Sequence, residues 1–445
     1  MSVSLREENK MAVRPVFPLL MSMAIPPMIS MLIQSLYNIV DSMFVAKIGE
    51  DALTAVSLAF PVQTLIVACS VGIGVGVNSY IPRSLGREDQ EGADSAVAHG
   101  LLMAAFVAVL FIIAGQFLLE PFFRLFSDDP AILADAITYT NICLTFCAGS
   151  FIHICIEKVF QSTGSMIFPM LLQALGAITN IILDPILISG LGMGALGAAV
   201  ATVIGYLCSV MYFLLVLRKK SHCLSVKLSQ CHVRADELRQ ILGVGITAAL
   251  SNLMQSLTVI VINQFLLAYG NDKIAAMGIV LKVNMIAQLI LTGFAFGGVP
   301  MYGYLYGAKQ QDTLKKLLRF CLLFLCGLSL ALTAFLCLAA TPLMRLFVQD
   351  SALVATGAEM LRWQAATAVF AGIVLLLTVL FQATGKIVPA FLLSISRQGI
   401  VFIVMLVVCV RLFAYNGVIM AQAVADVLSA ILALGLLIGY NPLKQ

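Results

Sequence analysis

Long apolar runs alternate with short polar stretches along almost the whole chain. A helix needs roughly 20 mainly apolar residues to cross the hydrocarbon core of a bilayer. The runs predict spans at 16–46, 54–80, 96–118, 131–159, 168–189, 195–217, 237–268, 275–301, 317–340, 351–381, 387–411 and 416–440. The expected fold is therefore an all-α integral membrane protein of twelve transmembrane helices. The longest polar connection, Arg218 to Arg239, lies between spans six and seven. It divides the chain into an N-terminal lobe (1–217), a linker (218–236) and a C-terminal lobe (237–445).

The two halves repeat one another. At an offset of 221 residues, Gln34, Ser35 and Leu36 meet Gln255, Ser256 and Leu257. Gly72, Gly76 and Gly86 meet Gly293, Gly297 and Gly307, and Pro121, Arg124, Leu125, Phe126 and Asp129 meet Pro342, Arg345, Leu346, Phe347 and Asp350. FQSTG at 160–164 meets FQATG at 381–385. Six spans per repeat is an even number, so both halves start on the same side of the membrane. Such parallel repeats are related by a pseudo-two-fold axis along the membrane normal, with a cleft between two six-helix bundles.

Composition agrees with a membrane solvent. Of 445 residues, 61% are hydrophobic and 11% charged, against roughly 25% charged in soluble domains. The polar residues 1–14 and the long run from Val16 do not fit a cleaved signal, so the first helix is expected to stay in the membrane. Lys and Arg crowd the connections on one side, whereas the other side holds Lys47, Arg124, Lys273, Arg345 and Arg411. The positive-inside rule then places both termini in the cytoplasm of a cell (inner) membrane. The eleven Cys lie mostly in apolar runs and read as small buried hydrophobes. Four His residues with no HExxH pattern give no sign of an enzyme, a cofactor or a nucleic-acid partner.

Polar groups inside spans are the candidates for chemistry, because a charge at a helix centre costs roughly 2.5–3.5 kcal/mol on insertion. Gln34, Asn38 and Asp41 form one stripe on the first span, beside Tyr37. Pro26 and Pro27 lie upstream and predict a bend, static or switchable. Asn180 and Asp184 share a face of span five, and Thr202, Tyr206 and Ser209 a face of span six. Converging, Asp41, Asn180, Asp184 and Thr202 would make an oxygen-rich pocket that suits a hard cation such as Na+. Two carboxylates that close cannot both ionise cheaply, so a proton can take the cation's place. Tyr139 and Gln255 are further polar candidates for a substrate cavity.

The second half lacks this set, with Ile262, Ile400 and Val404 at the places of Asp41, Asn180 and Asp184. It carries Lys282, Arg362, Arg397 and Asp426 instead. These are expected to pair, Asp426 with Lys282 or with Arg397, or else to serve coupling or substrate contact. Gly72, Gly74 and Gly76 lie within a span and predict close helix packing, not a phosphate loop.

The chain resembles the multidrug and toxic compound extrusion (MATE) family over essentially its full length. The residues that carry the resemblance are PPMISMLIQSLYNIVDSMFVAKIG, the LGRED loop, the FQSTG and FQATG pair, and TNIILDPILI. The resemblance implies two six-helix lobes, alternating access, and export of organic cations and drugs against an inward flow of Na+ or H+. In the branch resembling the DinF type, the cation site lies in the first lobe, at positions matching Asp41, Asn180, Asp184 and Thr202. Pro26 matches the proline at which the first helix of that branch bends. Relatives of the NorM type use acidic residues in the second lobe, where this chain has Gln255.

The expected function is therefore a cation-coupled exporter of small organic cations or drugs, acting in the lipid bilayer as a monomer. A lipid-linked precursor flippase or an exporter of one metabolite is the alternative. A flippase should show more spans and a basic cavity. An intramembrane enzyme would need clustered catalytic groups, and a channel would not need a one-sided cation site.

Overall fold

The computed structural model describes residues 11, 15–46, 50–126, 129–220, 235–348 and 350–442, with side chains omitted at 37–46, 50–57, 131, 189, 195 and 213–220. The helices in chain order are α1 (Val16–Ala46), α2 (Glu50–Gly86), α3 (Gln90–Phe123), α4 (Pro130–Thr145), α5 (Cys147–Ser162), α6 (Ile167–Asp184) and α7 (Ala195–Lys220). Then come α8 (Ala235–Leu266), α9 (Asn271–Gly297), α10 (Val299–Gly307), α11 (Gln311–Leu338) and α12 (Ala340–Arg345). The last five are α13 (Ser351–Ala366), α14 (Ala368–Thr384), α15 (Ile387–Ile395), α16 (Val401–Phe413) and α17 (Tyr415–Gly439).

Among the described residues, nine helices are long and apolar enough to cross a membrane. Two more spans are the bent pairs α4–α5 and α13–α14, and the apolar stretch Leu196–Tyr212 of α7 is the twelfth. Large apolar side chains such as Phe106, Phe117, Leu323, Leu338 and Ile438 stand exposed. Such a surface is stable in lipid, where backbone polar groups must bond within the helix.

The fourth and tenth spans, expected as straight helices, are each broken, by 45° and 44°. The breaks fall at Phe146 (φ −102, ψ 10) and Thr367 (φ −106, ψ 11), equivalent positions of the two repeats. Neither has a proline beside it, so no local residue announces the bend. Turn geometry is repeated too. Glu88 and Lys309 both adopt left-handed backbone (φ 64 and 57), as do Gly164 and Gly385 (φ 75 and 72). Only glycine takes the left-handed region freely, which explains the shared final residue of FQSTG and FQATG.

The chain packs as two units. One holds Ile29–Ala249, the other Pro15–Met28 with Leu250 onward. The start of α8 thus belongs with the first-repeat helices, and the start of α1 with the second-repeat helices. Glycines make both attachments. In the first unit a Cβ on Gly72 would lie 2.7 Å from the Gly245 carbonyl oxygen, and one on Gly245 equally 2.7 Å from that of Gly72. In the second unit, Gly293 and Gly297 lie against the Met28 and Ala24 backbones at 2.6 and 2.5 Å from a built Cβ. Small residues let helix backbones touch where lipid gives no hydrophobic drive to association.

Polar and aromatic groups complete these contacts. In the first unit the start of α8 is fixed to α3 by Glu237, buried and 2.7 Å from His99 Nδ1. Arg83 of α2 donates to Gln240 at 2.9 Å. In the second unit Phe320, at the position equivalent to His99, packs on Phe17 with ring centroids 4.9 Å apart.

Candidate functional site

Span five ends in a carboxylate. Asp184 is the last residue of α6, and Pro185 opens a π-helical turn, Pro185–Gly190. Proline has no N–H to give the turn behind it, and π-turns loosen the helix ladder. Asp184 is fully buried and Asn180, one turn earlier on the same face, almost so. With its amide nitrogen turned to the carboxylate, Asn180 donates to Asp184 Oδ2 at 2.6 Å and Oδ1 at 2.9 Å. Its oxygen then accepts from the Thr202 hydroxyl and backbone N–H, both at 3.1 Å. Turned the other way, the amide nitrogen donates to Thr202 Oγ1 at 3.1 Å and its oxygen faces Asp184. That contact is a hydrogen bond when the carboxyl is protonated, since an ionised carboxylate only accepts.

The structure thus brings Asn180, Asp184 and Thr202 together in the first unit. The donor set is all oxygen once the amide oxygen turns inward, which fits a hard cation or a proton. Asp41, Tyr37 and Asn38 lie on α1, but their side chains are outside the described residues, as is most of the linker 218–236. Gln34 and Gln255, equivalent in the repeat, are both exposed. Pro26 and Pro27 are buried, and α1 runs unbroken through them. Tyr139 is buried and its hydroxyl accepts from Gln63 at 2.8 Å. Tyr206 lies one turn from Thr202 on α7, in ring contact with His153 at 5.5 Å.

The second-unit charges form a separate network. Arg397 Nε donates to Asp426 Oδ1 at 2.8 Å, with both side chains largely buried. Thr367 and Gln422 add donors to Asp426 at 3.1 and 3.0 Å. Arg397 sits on a π-turn, Ser396–Ile400, where Gly399 leaves helical backbone (φ −125, ψ −111). The Thr258 hydroxyl donates to the Gln398 carbonyl of that turn at 2.6 Å. Lys282 is exposed on α9 and makes no ion pair among the described residues. Arg362 reaches the Cys337 carbonyl at 3.4 Å.

Sequence reasoning passed over a third group, on α5. Glu157, Lys158 and Gln161 bond to each other at 2.7–3.1 Å, and His153 is buried one turn away. The i, i+4, i+8 spacing of His153, Glu157 and Gln161 was the available signal.

The MatE family profile matches this chain twice, over residues 26–186 and 247–408. The two stretches begin at the same 221-residue offset that relates the repeats. Among curated proteins, the chain is 26% identical over 420 residues to the multidrug export protein MepA of Staphylococcus saprophyticus, covering 94% of this chain and 93% of that one. Among solved structures, a MATE in complex with MaL6 superposes with a TM-score of 0.92 at 25% identity, over 99% of this chain and 98% of that one. A MOP superfamily transporter of Pyrococcus furiosus, whose binding pocket of reverse polarity suggests a different function, superposes at 0.89 with 26% identity. It covers 100% of this chain and 98% of its own.

Proposed function

The chain belongs to the MATE family, and from that membership we propose that it is a secondary exporter of organic cations or drugs, driven by inward flow of H+ or Na+. One observation carries the proposal: a carboxylate buried in a membrane span and bonded by the Asn180 amide, whose oxygen is held in turn by Thr202 of the next helix. A carboxylate at that depth is costly on insertion and is a functional candidate by default. MepA, named a multidrug export protein, supports the substrate class. The Lys and Arg distribution supports cytoplasmic termini.

In this reading a cation or proton neutralises Asp184 and, through the matched position on α1, Asp41. Asn180 turns its amide oxygen inward, and α1 bends at Pro26 as the lobes alternate. Exchange of one coupling cation for one monovalent drug would be electroneutral. Unequal exchange would gain roughly 2.3 kcal/mol per net charge per 100 mV.

Lys282 favours a second reading. An exposed ammonium on a spanning helix, with no ion pair among the described residues, suits substrates that also carry an acidic group, as in a zwitterion or a lipid-linked precursor. Ethidium efflux from a pump-deficient host tests the first reading. Wild type should extrude dye on a Na+ or pH jump, and Asp41→Asn and Asp184→Asn should not at matched expression. Dye retention by wild type, with export of an anionic amphipath that Lys282→Gln abolishes, would establish the second.

A further inference from the structure

Two helices are divided between the units. α1 passes from the second unit to the first at Met28–Ile29, and α8 from the first to the second at Ala249–Leu250. The two crossings stand at equivalent places, 221 residues apart. They are built differently. Just ahead of its crossing α1 has Pro26 and Pro27, where α8 has Thr247 and Ala248. Proline takes a hydrogen bond out of a helix and lets it bend. α8 runs from Ala235 to Leu266 with no proline inside. Movement of one unit against the other can be absorbed within α1. In α8, which lacks that joint, the same movement draws on the contacts at the start of the helix.

Those contacts are polar. Glu237 Oε1 lies 2.7 Å from His99 Nδ1 of α3, and the Ser95 hydroxyl donates to the same oxygen at 3.4 Å. Arg83 Nη1 of α2 donates to Gln240 Oε1 at 2.9 Å. Beside them glycine meets backbone, Gly72 on Gly245 and Gly76 on the Ile241 carbonyl, with no side chains interlocked there. Glu237 Oε2 and His99 Nε2 are buried without a hydrogen-bond partner among the described residues. An unmet buried polar atom is costly, so release of the start of α8 would gain the hydration of both. The second unit is an internal control. At the places of Glu237, Gln240, Arg83 and His99 stand Val16, Leu19, Tyr304 and Phe320. Leu19 is buried and Phe320 packs on Phe17. There the start of a spanning helix is seated by apolar groups. Buried ionic and polar sets often add no stability over apolar residues of similar volume, and their best-attested use is in fixing register or in switching.

We propose that the His99–Glu237 and Arg83–Gln240 contacts are a latch that opens once in each transport cycle and frees Ala235–Ala249 from α2 and α3. The proposal rests on the exporter reading, in which the lobes alternate. Closed, as here, the latch seats the start of α8 on the first unit. Open, its four side chains bond to water and α8 moves as one rod with the second unit, while α1 bends at its prolines. Exchanging these bonds for bonds to water keeps the two states near balance, which a contact broken in every cycle requires.

The test uses proteoliposomes of the full chain with ethidium as the transported probe. In His99→Cys/Glu237→Cys, a bifunctional thiol reagent that reduction cleaves bridges the two positions, as peptide mass mapping verifies. Relative to wild type treated alike, the bridged protein should lose ethidium transport and regain it on reduction. Transport that continues unchanged through the bridge overturns the proposal and makes the pair a fixed register pin. The second-repeat graft His99→Phe/Glu237→Val needs no reagent. It should transport more slowly than wild type with an unfolding temperature no lower. Transport at the wild-type rate, or a loss of transport that only follows a lower unfolding temperature, overturns the latch. In wild type itself, the backbone amides of 238–249 should exchange hydrogen faster during ethidium transport than at rest, since local release lowers protection. Equal exchange in the two conditions overturns the proposal and leaves drug export standing. No ethidium movement by wild type would instead refute the exporter reading, and this proposal with it.

Discussion

Asn180 is the residue on which the first-lobe site turns, because its amide can present either a donor or an acceptor to Asp184. Asp184→Asn removes the group that changes charge, so coupled dye efflux should fall at least about tenfold at matched expression. Thr202→Val removes one hydroxyl and leaves the carboxylate, so its efflux should fall less than that of Asp184→Asn in the same assay. The second-unit pair behaves differently. Arg397→Met leaves Asp426 buried without its cation, which should destabilise the protein by about 3–5 kcal/mol, read as a lower unfolding temperature in detergent. Arg397→Met with Asp426→Leu should recover most of that loss. Asn180, Asp184, Thr202 and Tyr206 were legible in the sequence because i, i+4 spacing survives folding unchanged. Glu157 and Lys158 were not, because charges near the end of a span read as loop charges until burial is known.

Helices meet here through backbone, and their glycines are where substitution is felt. Gly245 has the Gly72 carbonyl where its Cβ would go, so Gly245→Leu should cost about 1–3 kcal/mol or more through overpacking. The same change at Gly278, which has nothing within 4 Å of a built Cβ among the described residues, should leave the unfolding temperature close to wild type. A result with the two reversed would mean that the α2–α8 contact does not hold the start of α8. The sequence pointed to close packing at Gly72 and Gly76 but not to its partner. Packing of α8 on α2 joins residues far apart in the chain, and helical periodicity carries no such information. The bends at Phe146 and Thr367 were hidden because neither proline nor glycine stands at the break.

Across the whole chain, duplication supplies the architecture. Turns, breaks and glycine contacts recur at the constant offset, and this is why twelve spans in two six-span repeats could be read from sequence. The chemistry is not shared. Asn180 and Asp184 correspond to Ile400 and Val404 of the other repeat, and His99 corresponds to Phe320. Asp41, which has Ile262 at its place in the other repeat, has its side chain outside the described residues.

Antiport requires that cation and drug weaken each other's binding, and linkage makes that effect reciprocal. The most direct measurement is drug affinity of the purified protein across a range of pH and Na+ concentration, for wild type and Asp184→Asn. Wild-type Kd should rise as H+ or Na+ increases, and the variant should bind drug with an affinity independent of both. A wild-type affinity indifferent to both cations, or a variant with the same dependence as wild type, would contradict coupling through Asp184.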